Sequence, residues 1–453
     1  MQSTINFYGG AGTVTGSNFM LDTGGLKILI DCGLFQGEHA FDQSNWEPFA
    51  FDPKEVSILI NTHAHIDHIG RIPKLVRDGY AGKILSTDAT KALAEPMLYD
   101  ALELNRHDAL KHNREPLYSE ADIVQALSQW ETTDYHSARD LGDDVHFEFL
   151  NSGHILGSAM AKFTRGDRSV VFTGDLGGGN SPLLAFAEVP TGIQYLVMES
   201  VYGDKKREDD SNRRDLLENY IEDVVARRGT LLIPAFSTER TQDLLFDIRA
   251  LLLEKRIPSV PVFLDSPLAE KITAAFEKFP QYFSKEIQKR VEDGEHIFSF
   301  PELHYVETMQ QSKDLYKSGE TKIILAGSGM SNGGRVVGLE KVLLPDETAT
   351  LLIVGFQAAG SLGRRLVEGA KKVKIQGVDV SVMCKVEKLY GYSAHMDGEQ
   401  LLEFVNSVGD SLEEVFVVMG EPAAAGFLVQ RIRDYLGTRA TSPEVGNSSL
   451  IQL

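Results

Sequence analysis

The segment VSILINTHAHIDHIG, residues 56–70, constrains the chain more than any other. Its apolar run ends at Ile60 and reads as a buried strand. Directly after it stand His63, His65, Asp67 and His68, four potential metal ligands in six positions. Strand alternation sends His63 and His65 to one side, and the turn into the next helix brings Asp67 and His68 back to the same space. A lone loop histidine is ordinarily satisfied by backbone carbonyls. Four ligand-type side chains crowded behind a buried strand point instead to metal, and imidazole with carboxylate suits a pair of zinc ions.

Further ligand types occur in matching places. His154 lies in NSGHILGS, just after the β-prone run HFEFL, Asp175 ends VVFTGD, and Asp31 ends KILIDCG. An aspartate at a strand end is often only a turn residue. Together these residues gather acid and imidazole at several strand ends, where an α/β fold builds its site.

Residues 1–62 read as short strands, and residues 70–136 as helices with apolar spacing of three and four. Strands return through VHFEFLNSG, SAMAKFTRG, SVVFTGD and YLVMES. The charged run 205–208 (KKRE) reads as an exposed face. TLLIPAF, VPVFLD, TKIILAGSG and TATLLIVGF then alternate with helical stretches, a pattern that predicts a parallel sheet with its site at the strands' C-terminal ends. Near residue 380 the texture returns to strands (VSVMCKVEKLYGY), and the chain closes with helix–strand–helix.

With 453 residues, two or three domains of roughly 150 residues are expected. The charge is 45 − 65 = −20, which repels polyanions at long range but leaves room for a local positive cleft. Two cysteines, Cys32 and Cys384, exclude a disulfide framework and a cysteine zinc finger. The N-terminus lacks the features of a signal peptide, and no apolar run approaches the ~20 residues of a membrane span. A soluble cytoplasmic protein with no membrane partner is expected.

THAHIDHIG, with Asp31, His154 and Asp175 in their contexts, resembles the metallo-β-lactamase superfamily. VMESVYGD, LLIPAFSTERTQDLL, VFLDSPLA, GSGMSNGGRVVG and GYSAHMDGEQLLEF narrow the resemblance to the β-CASP nucleases. Within these the chain is similar to the prokaryotic group related to the endonuclease subunit of mRNA 3′-end cleavage. The resemblance implies a four-layer αββα domain from residues 1–204 and 380–453, with an α/β β-CASP domain, residues 205–379, inserted and capping the active site.

It also implies roles. His63, His65 and His154 hold one zinc; Asp67, His68 and His395 hold the other; Asp175 bridges them. Asp31 orients a histidine ligand, and Glu199 sits near His395 and tunes it. A histidine at 395 goes with RNA rather than DNA. The implied reaction is two-metal hydrolysis of RNA by a metal-activated hydroxide, in a cleft between the domains, with Asp67, His395 or a metal-held water as the proton donor. Phosphate handles are expected from Ser237 and Arg240, from Ser328, Gly329 and Met330 in GSGM, and from Ser361, Arg364 and Arg365 in GSLGRRL.

The chain departs from the family in three places. Arg365 stands near a position often held by histidine, VMGEP puts Met419 where the family segment has histidine, and GDLGGGN lacks a common arginine. The alternatives are a small ester or phosphodiester hydrolase, and an RNA-binding scaffold with little catalysis. A short closing segment, ATSPEVGNSSLIQL, favours a monomer or loose homodimer.

Overall fold

In the computed structural model, which describes residues 2–36, 42–206, 212–355, 357 and 360–453, the strand before the histidine loop is Ile58–Ile60. Its side chains alternate. Ile60 faces a core between two sheets, while Leu59 points the other way and is equally buried, so both faces are covered.

The first of two units comprises Met1–Gly179, Leu184–Lys206 and Ala394–Leu453. Among its described residues are two seven-stranded sheets. One runs in the order Ser448–Gln452, Gln2–Gly9, Asn18–Asp22, Lys27–Ile30, Ile58–Ile60, Lys83–Ser86, Trp130–Thr132. The other runs Arg439–Thr441, Glu414–Val418, Tyr195–Glu199, Arg168–Phe172, Ala159–Arg165, Val145–Asn151, Arg139–Gly142. Phe7 and Phe19 of the first sheet meet Phe416 and Phe172 of the second, with ring centroids 5.8 and 6.3 Å apart. Helices Gly398–Val408 and Pro422–Arg431 bury Leu401, Phe404 and Leu428 with Val171, Leu196 and Met198 on the second sheet's outer face. Helices Ile72–Arg77, Asp88–Lys111 and Glu120–Ser128 supply the remaining layer, completing αββα. The strand Lys83–Ser86 falls inside the stretch read from sequence as helical.

Each sheet has an antiparallel half and a parallel half. Lys27–Ile30 pairs parallel with Ile58–Ile60, and Arg168–Phe172, Tyr195–Glu199 and Glu414–Val418 run parallel to one another. Parallel neighbours put their C-terminal ends side by side. That is why Asp31 and His63 emerge together from one sheet, and Asp175 and Glu199 from the other.

The second unit, Asn180–Leu183 and Arg207–Ser393, is built on a six-stranded parallel sheet. Its order is Leu303–Tyr305, Val262–Asp265, Lys322–Ala326, Thr230–Pro234, Thr350–Ile353, Lys385–Lys388. The boundary expected at residue 380 shifts to 393/394 here. The strand-rich stretch expected to rejoin the first domain instead pairs with this unit, Lys385–Lys388 running parallel to Thr350–Ile353. In the charged run, Lys205 and Lys206 are exposed, while residues 207 and 208 lie outside the described residues, as does Phe356 of the LLIVGF run. No helix among the described residues is long and apolar enough to cross a membrane.

Helix Arg240–Leu253 carries a buried acidic edge. Asp247 is paired with Arg213 (3.0 Å) and accepts from the Tyr392 hydroxyl (2.9 Å), and Asp243 accepts from Ser181 Oγ (2.8 Å). Burial and the neighbouring Asp243 push the Glu239 carboxyl well above its ordinary range, despite Arg240 and Arg213. Burial, against the opposing pull of Arg213, pushes Asp243 up to about 7. A carboxyl whose folded pKa is raised binds its proton more tightly in the native state. Its stabilisation is therefore full below the unfolded value near 4 and is lost as pH rises toward about 7. Denaturant unfolding should thus show this unit more stable at pH 5 than at pH 8, by on the order of a few kcal/mol. Asp243→Asn should flatten that slope; an unchanged slope would show that Asp243 is not its source.

Candidate metal centre

Three imidazoles and a carboxylate converge at the strand ends of the first unit. His63 Nε2 and His154 Nε2 each lie 3.1 Å from His65 Nδ1. Asp175 Oδ2 is 3.5 Å from His63 Nε2 and 3.4 Å from His154 Nε2. One donor atom from each of the four lies within 4.8 Å of every other. A tetrahedral zinc site with ligand distances of about 2.0–2.1 Å has edges of roughly 3.3–3.4 Å between donors. The spacing fits a metal ion at this point.

The chemistry of His68 gives a second test. Asp31 is fully occupied as an acceptor: its carboxylate takes Thr62 N–H (2.8 Å), Thr62 Oγ (2.9 Å), Asn61 Nδ2 (3.1 Å) and Ser17 Oγ (3.1 Å). It also lies 2.6 Å from His68 Nδ1, which must therefore be the protonated nitrogen donating to it. His68 Nε2 then points a lone pair at Asp175 Oδ1, 3.3 Å away. Both atoms are buried with no hydrogen-bond partner. Two buried acceptors facing each other need a cation or an additional proton between them. Burial lowers the proton affinity of His68, but Asp175 and Asp31 outweigh it and hold the ring well above its usual value. Burial pushes Asp175 up, but His68 and His63 hold it well below the carboxylate range. Burial and His395 push His154 well down, and burial pushes Asp67 up.

Asp67 lies in the first turn of helix Ile66–Ile69, and its carbonyl accepts from Ser17 N–H (2.9 Å). A Cβ on Gly33 would sit 1.5 Å from that oxygen, so glycine is required at 33 for the two loops to meet. His395 enters through a β-bridge to Gly177. It groups with Asp175 and Glu199 rather than with Asp67 and His68. Its Nδ1 is 3.0 Å from Glu199 Oε1, and its ring centroid is 4.5 Å from that of His154. Glu199 is itself fixed by Leu176 N–H (2.7 Å) and Val201 N–H (3.2 Å). Met419, at φ +46°, offers no imidazole. It is buried in the inter-sheet core, where a Cβ on Gly10 would meet its Sδ at 2.4 Å.

The residues expected to bind phosphate all lie in the second unit, at the C-terminal ends of its strands. Ser237 Oγ is 3.4 Å from Ser266 Oγ, and Gln357 Nε2 donates to Gly329 O (2.8 Å). A Cβ on Gly329 would lie 2.9 Å from Phe236 N, so four strand-end loops touch. Ser328 and Met330 are half-buried there. Ser361 is buried and caps helix Leu362–Val367. Arg240 is buried, Arg364 is paired with Glu368 (2.6 Å), and Arg365 is exposed.

Comparison with known proteins agrees with this architecture. Residues 11–227 match the metallo-beta-lactamase superfamily, residues 241–366 the Beta-Casp domain, and residues 379–443 the Zn-dependent metallo-hydrolase RNA specificity domain. The chain is 35% identical to "Ribonuclease TTHA0252" of Thermus thermophilus, over 88% of this chain and 89% of that one. It is 31% identical to "Transcription termination factor FttA" of Cenarchaeum symbiosum over 98% of this chain, spanning 70% of that protein's length. The FttA of Methanocaldococcus jannaschii is 32% identical over 92% of this chain and 67% of its own. A crystal structure of a protein of unknown function from Enterococcus faecalis shares the fold, with TM-score 0.56, 12% identity and full coverage of both chains. A divalent-metal hydrolase site, set on two sheets and interrupted by a second α/β unit, places the chain in the β-CASP family of metallo-hydrolases within the metallo-β-lactamase superfamily.

Proposed function

We propose that the protein is a zinc-dependent ribonuclease that hydrolyses RNA phosphodiester bonds. The observation that carries the reading is the convergence of His63, His65, His154 and Asp175 donor atoms within 4.8 Å of one another, backed by the unpartnered His68 and Asp175 atoms beside it. Relatives named as a ribonuclease and as transcription termination factors, and a matched region described by RNA specificity, favour RNA over small esters.

In this reading His63, His65 and His154, with Asp175, would hold one zinc, and Asp67, His68 and His395, with Asp175, would hold the second. Bound divalent ions supply a lowered water pKa and neutralise charge on phosphoryl oxygens. The chain's own groups do the rest. Asp31 fixes His68 with its Nε2 lone pair forward. Glu199 accepts from His395 Nδ1–H, which sets the ring's orientation and turns its Nε2 toward the centre. His395 keeps the ligand role implied by resemblance, and the leaving oxygen takes its proton from Asp67, His395 or a metal-held water. In the second unit, Ser237, Ser361, the amides of Ser328, Gly329 and Met330, and the exposed Arg365 serve as phosphate handles, with Arg240 and Arg364 as supporting charge.

The test is cleavage of an RNA labelled at each end, with zinc measured on the same protein sample. Internal cuts should be seen from both labels, should vanish on chelation and should return with zinc. Undiminished cleavage by the metal-free protein would sink the reading.

A further inference from the structure

Phe186 is a large apolar side chain, 71% exposed, held by the loops next to His154 and His395. Its backbone is fastened to the His154 loop. Asn151 Nδ2 donates to Phe186 O (3.0 Å), and Glu188 N–H donates to Asn151 O (2.9 Å). A Cβ on Gly153, the residue before His154, would lie 3.0 Å from the Phe186 carbonyl carbon. The Phe186 ring lies over Gly179, where a Cβ would fall 1.9 Å from Cε1, so any larger residue at 179 would displace it. Gly179 in turn follows backbone tied to the His395 loop, Gly178 N–H donating to Ala394 O (2.6 Å).

Single exposed apolar residues on a surface are common and need no function. Phe186 differs in being seated. Hydrogen bonds hold its backbone, a glycine makes room for its ring, and the loops that fix it also bear His154 and His395. An exposed aromatic face beside a phosphodiester-cleaving centre meets the nucleotides that flank the bond being cut. Bases of single-stranded RNA stack on such faces with little regard to sequence. The chain's −20 charge makes a contact that needs no cation useful for holding RNA.

We propose that Phe186 is a stacking platform for a base adjacent to the scissile phosphate of a single-stranded RNA substrate. The proposal rests on the ribonuclease reading above. No bond is made or broken at Phe186; it sets substrate affinity and position.

The experiment measures kcat and KM on an RNA oligonucleotide with a mapped cleavage site, for wild type, Phe186→Ala, Phe186→Leu and Phe186→Trp, with zinc content confirmed for each. Phe186→Ala should raise KM by about tenfold or more with a smaller change in kcat, and by a similar factor at low and high salt, because stacking is not ionic. Phe186→Trp should stay within about twofold of wild type, whereas Phe186→Leu, apolar but unable to stack, should behave like alanine. An abasic nucleotide at one flanking position should cost wild type the same factor and cost Phe186→Ala nothing more. Wild-type KM in the alanine or leucine variant, or abasic losses that add to the alanine loss at every flanking position, would overturn the stacking role while leaving the ribonuclease reading intact. Failure of zinc-loaded wild type to cut RNA at all would overturn both.

Discussion

Asp175→Ala should leave the protein folded, short of metal and at least about a thousandfold slower on RNA. Asp175 reaches both halves of the centre. Its Oδ2 faces His63 and His154, and its Oδ1 faces His68 at 3.3 Å. Removing it takes a donor from the four-residue group and leaves His68 Nε2 without an opposing charge. Lewis-acid stabilisation by bound metal is worth several kcal/mol, and each ~1.4 kcal/mol is tenfold in rate, which gives the expected loss. Zinc per chain should fall together with turnover. Asp175→Asn, isosteric but uncharged, should fail in the same way, because burial beside imidazoles calls for the anion. Full zinc content and wild-type turnover in either variant would rule out Asp175 as the shared ligand.

Asp31→Ala should lower both stability and metal affinity. The carboxylate accepts from Ser17, Asn61, Thr62 and His68 in a fully buried setting, and truncation leaves those donors facing a cavity. Breaking a buried network of this kind costs about 3–5 kcal/mol, readable as a shifted urea midpoint. The loss of the group that orients a histidine ligand costs roughly 10–100-fold in metal affinity. Asp31→Asn separates the two effects. Asparagine tolerates the φ of +58° found here and keeps the shape. It should therefore recover much of the stability while zinc still binds weakly, since its amide no longer holds His68 as an anion does. A variant with normal zinc affinity would show that the 2.6 Å contact has no part in setting the ligand.

The centre's first half was legible because its residues are dense in sequence and its outliers sit at recognisable strand ends. His63, His65, His154 and Asp175 meet as the motif spacing and the resemblance imply. His395 lies beside Glu199, as the resemblance implies; the contact is made through the bridge to Gly177, more than two hundred residues away, and spacing in the local sequence carries no trace of it. The reach of the second compact unit past residue 380 has a related reason. The 378–388 stretch is strand-like in either unit, and only its pairing with Thr350–Ile353 assigns it. Phe186 gave no sequence signal, because an apolar residue in a loop says nothing about burial until the glycine beneath it is placed.

The late strands have a consequence for the order in which the protein is made. Glu414–Val418 and Arg439–Thr441 finish one sheet, and Ser448–Gln452 covers the free side of Gln2–Gly9 in the other. As the chain leaves the ribosome, those two edges stay open until residues 414–452 have emerged, long after the candidate metal-binding residues between 63 and 175 are present. The nascent protein therefore carries most of its candidate metal donors on two unfinished sheets whose bare edges invite pairing with other chains. Supplying zinc before or after release should alter how much protein folds rather than aggregates, a yield that translation in a metal-controlled extract can measure.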